Sequence, residues 1–185
     1  MINNEITING ITYVRKDSCK CPFMKTTENK NTVKKYCFNG ETINYKGHIL
    51  HRIVALKDFG GVRKGDIGGW IEKEDNLSQE GRCWVGGDAW VFGNAKVYGD
   101  ARVYGNAKVY GDAKVCGNAV LCGGAWVFDN AEVYENAWIY GHAWVLGDAK
   151  VYGDAKVCEN ARVFGNAKVR GNAWVCEGAV VCNVN

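Results

Sequence analysis

One six-residue phrase, Gly-Asp/Asn-Ala-x-Val-y, runs sixteen times through residues 87–182 without insertion or omission. Every Ala slot from Ala89 to Ala179 holds Ala, and every Val slot from Val91 to Val181 holds Val except Leu121 and Ile139. A looser copy precedes them at Gly81 to Gly86, with Cys83 as the small residue and Val85 as the aliphatic one.

In an extended Ala-x-Val-y segment the side chains alternate, so Ala and Val face one way and x and y the other. The next two residues, mostly Gly then Asp or Asn, are turn formers, and each hexad reads as a short strand plus a corner. From Asp88 to Gly178 the corner slot holds Asp, Asn, Gly and, once, His142. These residue types tolerate the left-handed backbone region, which is therefore expected at this slot. A short fixed period without helical spacing predicts a solenoid whose coils bury their inner faces against one another.

The corner charges select the coil length. Two hexads per coil would stack Asp88, Asp100 and Asp112 at the ~4.8 Å strand spacing, a repulsive column. Four would stack Asp88 on Asp112. Three hexads, or 18 residues, place no corner Asp on another: Asp100 meets Asn118, Asp112 meets Asn130, Asp148 meets Asn166 and Asp154 meets Asn172. A three-sided coil with Val and Ala filling a triangular interior is the expectation.

That period sorts the outward residues into three faces. One carries Trp90, Phe92, Lys108, Tyr110, Trp126, Phe128, Trp144, Leu146, Arg162 and Phe164. A second is mixed, with Trp84, Arg102, Trp138, Lys156 and Trp174. The third has Lys96, Lys114, Glu132, Lys150 and Lys168 and no Trp, and should stay hydrated. The first face is apolar enough to predict a protein interface at Trp90, Phe92, Tyr110, Trp126, Phe128, Trp144, Leu146 and Phe164, closed by a second copy or a foreign protein.

Ahead of the repeat, Ile6 to Val14 reads as a hairpin about Asn9-Gly10, and Glu41 to Leu56 as another about Lys46-Gly47. A solenoid end exposes strand edges and apolar interior, so residues 1–75 are expected to form a β-hairpin cap domain and residues 76–185 the solenoid. The net charge of +3 comes from this first part, since residues 1–80 hold 13 Lys/Arg against 10 Asp/Glu and the rest is balanced. Arg15, Lys16, Lys20, Lys25, Lys34 and Lys35 are the candidate contacts for an anionic partner, although a solvated loop is the simpler account of them. The neutral repeat argues against nucleic acid as a partner.

No basic segment followed by an apolar run opens the chain and no stretch could span a bilayer, so a cytoplasmic location without membrane contact is expected. Nine Cys without a secretory signal then suggest reduced thiols, with Cys158 and Cys176 stacked one coil apart. Cys19, Cys21 and Cys37 with His48 or His51 have a poor spacing for zinc, and no metal is assigned. The dense acidic turns of calcium-binding solenoids are missing. No phosphate loop, nucleophile elbow or paired-carboxylate set is present, and His142 sits where a turn residue belongs.

The aliphatic residue followed four places on by a small one, as in Val97 and Ala101, resembles the bacterial hexapeptide pattern. That resemblance implies a left-handed parallel β-helix with triangular coils. The run HRIVALKDFGGVRKGDIGGWIEKEDNLSQEGRCWV, followed by GDARVYGNAKVY, is similar to the YdcK-type β-solenoid proteins of bacteria and their phages. Hexapeptide acyltransferases interrupt the helix with a loop and use a catalytic His, whereas this repeat is uninterrupted and carries Tyr, Phe or Cys in the y slot. The expectation is therefore an all-β protein without enzymatic activity or cofactor: a binding or scaffold solenoid that self-associates through its aromatic face. The phage-like resemblance extends this to a protein that binds a host defence factor such as a nuclease. The alternative is an acyltransferase using acetyl-CoA between trimer subunits.

Overall fold

The computed structural model describes the backbone of residues 5–8 and 11–14, and residues 33–183 in full. Strands β1 (Glu5–Ile8) and β2 (Ile11–Val14) form the first hairpin, and β3 (Tyr36–Tyr45) and β4 (His48–Ala55) the second, turning through left-handed Lys46 and Gly47. β4 pairs antiparallel with β5 (Ile67–Ile71), and β5 pairs parallel with the Trp90–Val91 rung. One sheet thus runs from the hairpins into the solenoid, through the expected boundary at residue 75, and Leu77 already bridges to Val97 as a rung of another face.

The repeat folds as a β-solenoid of about six turns with three parallel sheets. Its registers step by 18 residues: Val91 to Val109 to Val127, Val97 to Val115 to Val133, Val103 to Leu121 to Ile139. Coils of three hexads are what the corner charges required. The inward Ala and Val side chains are fully buried from Ala101 to Val163. Each strand is short, but every coil adds main-chain hydrogen bonds to the next, as in Lys114 N–H to Ala131 O (2.9 Å) and Cys116 N–H to Val133 O (2.9 Å).

The corners differ from expectation. The left-handed residue is the Gly that precedes the Asp/Asn slot, with φ of 61–74° from Gly87 to Gly153, and an added Cβ on Gly117 would meet Glu135 backbone nitrogen at 2.8 Å. The Asp and Asn side chains instead lace successive coils: Asn94 to Asp112 (3.1 Å), Asn130 to Asp148 (3.0 Å), and Asn118 through Asn136 to Asp154 (3.0 Å each). Where an acid replaces the left-handed Gly and another coil follows, its carboxylate accepts the N–H one coil on. Asp129 accepts from Gly147 (3.1 Å), Glu135 from Gly153 (2.7 Å) and Glu159 from Glu177 (3.1 Å). These bonds offset part of the strain of φ near 58° in a residue with a Cβ.

The first coil is sealed by the segment before it. The Tyr36 hydroxyl donates to Leu77 O (2.6 Å) and Glu74 O (3.1 Å), and Lys35 Nζ donates to Glu80 O (3.1 Å) and Cys83 O (3.0 Å). Asn76, fully buried, donates to Gly93 O and Ala95 O while accepting Lys73 N–H. Cys158 and Cys176 stack one coil apart with their Cα atoms 4.7 Å apart, a separation at which a disulfide can close. In-register stacking brings their side chains within reach, as the 18-residue spacing implies.

Candidate functional site

The outward columns of the aromatic face stack as predicted: Trp90, Lys108, Trp126, Trp144 and Arg162 follow one another in register. Stacked strands hold flat rings nearly parallel. Phe92, Tyr110 and Phe128 lie 5.0 and 4.9 Å apart at 7° and 2°, and Trp126 lies 5.3 Å from Trp144 at 10°. Cations close the tryptophan stack at both ends, Lys108 Nζ 5.1 Å from the Trp126 centroid and the Arg162 guanidinium 4.9 Å from that of Trp144.

The face is only partly open. Trp90 and Phe92 are 8% and 6% exposed because the β3–β4 hairpin covers them: Tyr45 packs on both rings, His48 on Phe92, and Ile43, Leu50 and Trp70 complete the cluster. They leave the set available to a partner. Sequence reading missed this because nothing in the repeat reports where the hairpin folds back. Tyr110, Trp126, Phe128, Trp144, Leu146 and Phe164 are half-buried, and the open part of the face centres on Trp126 and Trp144. The most exposed tryptophans stand on the second face, Trp174 at 69% and Trp138 at 46%.

Two candidate anion contacts are already engaged. Lys34 pairs with Glu74 (2.8 Å), and Lys35 is 1% exposed with its ammonium bonded to carbonyls and 3.2 Å from Cys83 Sγ. Burial lowers the Lys35 pKa and raises that of Cys83. Arg15, Lys16, Lys20 and Lys25, with Cys19 and Cys21, lie outside the described residues. His48 bonds Glu72 (2.8 Å), His51 stacks on Phe38 (4.6 Å), and among the described residues no group of three or more His, Cys, Asp or Glu could hold a metal ion. On the third face Lys114 and Lys150 flank Glu132 at 3.2 and 2.8 Å, with the Lys150 hydrogen bond foremost in lowering the Glu132 pKa.

At the corner between the second and first faces the Asp/Asn rule is broken on two successive coils, at Gly124 and His142, and once more at Gly178 near the end of the repeat. The His142 ring folds over the missing side chain, its Nδ1 2.7 Å from where a Gly124 Cβ would stand. Gly124, Trp126, His142, Trp144, Asn160 and Arg162 line a notch of about 260 Å³ there.

The architecture is that of a triangular β-solenoid of hexapeptide coils with an aromatic outer face. Within that class the chain carries a YdcK β-solenoid repeat, whose family model matches residues 95–111. It is also similar, at 48% identity over 40 residues, to a protein of Escherichia coli (strain K12) named "Uncharacterized acetyltransferase YdcK"; the match covers 22% of this chain and 12% of that protein. That name overturns the expectation of a chain without enzymatic activity, because a protein sharing this stretch is named as a transferase. No helix among the described residues is long and apolar enough to cross a membrane.

Proposed function

We propose that the chain is a β-solenoid docking protein whose open aromatic face binds a second copy of itself. The observation that carries this reading is the in-register set Trp126, Phe128, Trp144 and Leu146, half-exposed and ended by Lys108 and Arg162. Stacking has already fixed the rotamers of these rings, so little side-chain entropy is lost when a partner covers them. The five rungs beyond the hairpin-covered Trp90 rung span on the order of 330 Å² per copy. Doubled about a two-fold axis and extended over Trp138, that area approaches the lower bound of a specific dimer. Light scattering on the protein and on the Trp126→Glu/Trp144→Glu variant tests it: the wild type should be a dimer and the variant a monomer. A monomeric wild type would leave the face to a foreign protein. Neither the fold nor the relative supports the narrower idea of a phage protein directed at a host nuclease.

Acyl transfer is the second reading, favoured by the name of the E. coli relative and by His142, whose imidazole lines the notch at the open face. An acyltransferase needs a base within reach of the acceptor, and His142 is the candidate. Titration with acetyl-CoA by calorimetry, on wild type and His142→Ala, tests this reading.

A further inference from the structure

The notch at Gly124 and His142 combines three features found together nowhere else on the repeat. First, the corner hydrogen-bond ladder is interrupted. The other two corner columns are laced by Asn and Asp side chains, but among the described residues the side chains of His142 and Asn160 make no hydrogen bond. Second, Arg162 lies over Trp144 without an ion pair or hydrogen bond of its own, so its N–H donors face solvent unclaimed. Third, no carboxylate lines the notch, and the nearby Glu159 is engaged by Glu177 N–H. The unclaimed Arg162 guanidinium, the His142 imidazole and the Asn160 amide thus share the lining of one notch with the Trp126 and Trp144 indoles. The volume, about 260 Å³, exceeds the roughly 30 Å³ share of one water several-fold and admits a small organic molecule.

We propose that this notch is a binding site for a small aromatic carboxylate, the carboxylate held by Arg162 with His142 and Asn160, and the ring laid along Trp126 and Trp144. A guanidinium already oriented by stacking offers its paired N–H donors to a carboxylate with little further ordering. Gly124 makes the site by leaving the space that His142 turns into. Trp126 and Trp144 also centre the proposed dimer face, so a second copy and the ligand compete for them; the test uses dilute protein that scatters light as a monomer, where loss of benzoate binding and loss of dimerisation are read separately.

Titration with benzoate, followed by calorimetry and by the indole N–H and Arg162 signals in NMR spectra, should saturate in roughly the millimolar range. Benzamide, which keeps the ring but not the charge, should bind about tenfold or more weakly, and inorganic phosphate should not match benzoate. Arg162→Met, which keeps an apolar stem on Trp144, and Gly124→Ser, whose Cβ displaces the His142 ring, should each lower benzoate affinity by a similar factor with the melting temperature near that of wild type. Benzamide binding as tightly as benzoate, phosphate binding more tightly, unchanged affinity in both variants, or no saturation by benzoate would each overturn the proposal.

Discussion

Lys108 Nζ sits 4.2 Å from the centroid of the Trp90 ring, and the same ammonium is 5.1 Å from both Trp126 and Tyr45. Three rings from three parts of the chain surround one cation, and its burial, followed by the nearby Lys46, lowers its pKa. The contact joins the β3–β4 hairpin to the solenoid and separates the covered part of the aromatic face from the open part. Lys108→Ala should cost about 1–2 kcal/mol, through lost cation–π attraction and lost packing of the lysine stem. Urea denaturation is the measurement, and Lys108→Met, which restores the stem alone, should recover part of the loss.

Val133 is fully buried and stacked between Val115 and Val151. Val133→Asp would place a carboxylate among these side chains with no donor in reach, at a cost of several kcal/mol. The circular dichroism melt should lose its transition or move far down in temperature.

Asn76→Ala should be among the more damaging polar substitutions. Its amide satisfies the Gly93 and Ala95 carbonyls and its oxygen the Lys73 N–H, all at the buried start of the solenoid. Leaving these groups without partners should cost about 1–3 kcal/mol, and hydrogen exchange should speed up at Ala95 and its neighbours before the central coils.

Glu132 contributes a pH-dependent element. Its carboxyl pKa lies below its ordinary 4.5, owing first to the Lys150 hydrogen bond and then to Lys114. A depressed pKa stabilises the fold fully above the unfolded value, and that stabilisation disappears as pH falls through the folded value. Wild type should therefore melt above Glu132→Gln at neutral pH, and the gap should close as the pH falls below about 4.5. A constant gap across pH 3–7 would exclude the link.

How much was legible in the residues is clearest at the corners. The 18-residue coil followed from where Asp and Asn could stack, and the registers through Val115, Val133 and Val151 realise it. The identity of the left-handed residue was misplaced by one position. Local propensity allows Gly or Asp/Asn to take that conformation; the stacking of coils favours Gly at most of these slots, as at Gly117 against Glu135, and admits an acid at Asp129, Glu135 and Glu159, where the carboxylate bonds the next coil.

The sequence by itself determined the strand parity, the three faces and the buried Ala and Val columns, because a strict six-residue period leaves one arrangement that hides them. Tertiary structure decided which of the outward residues remain available. Trp90 and Trp126 occupy the same slot of the same phrase, yet the first is buried under Tyr45 and the second half-open, because the hairpin folds back over the first coils only. Lys34 and Lys35 looked like free charges and became a salt bridge and a buried ammonium. A periodic sequence fixes what every coil shares through local geometry, while accessibility depends on contacts from outside the period, which the repeat does not encode.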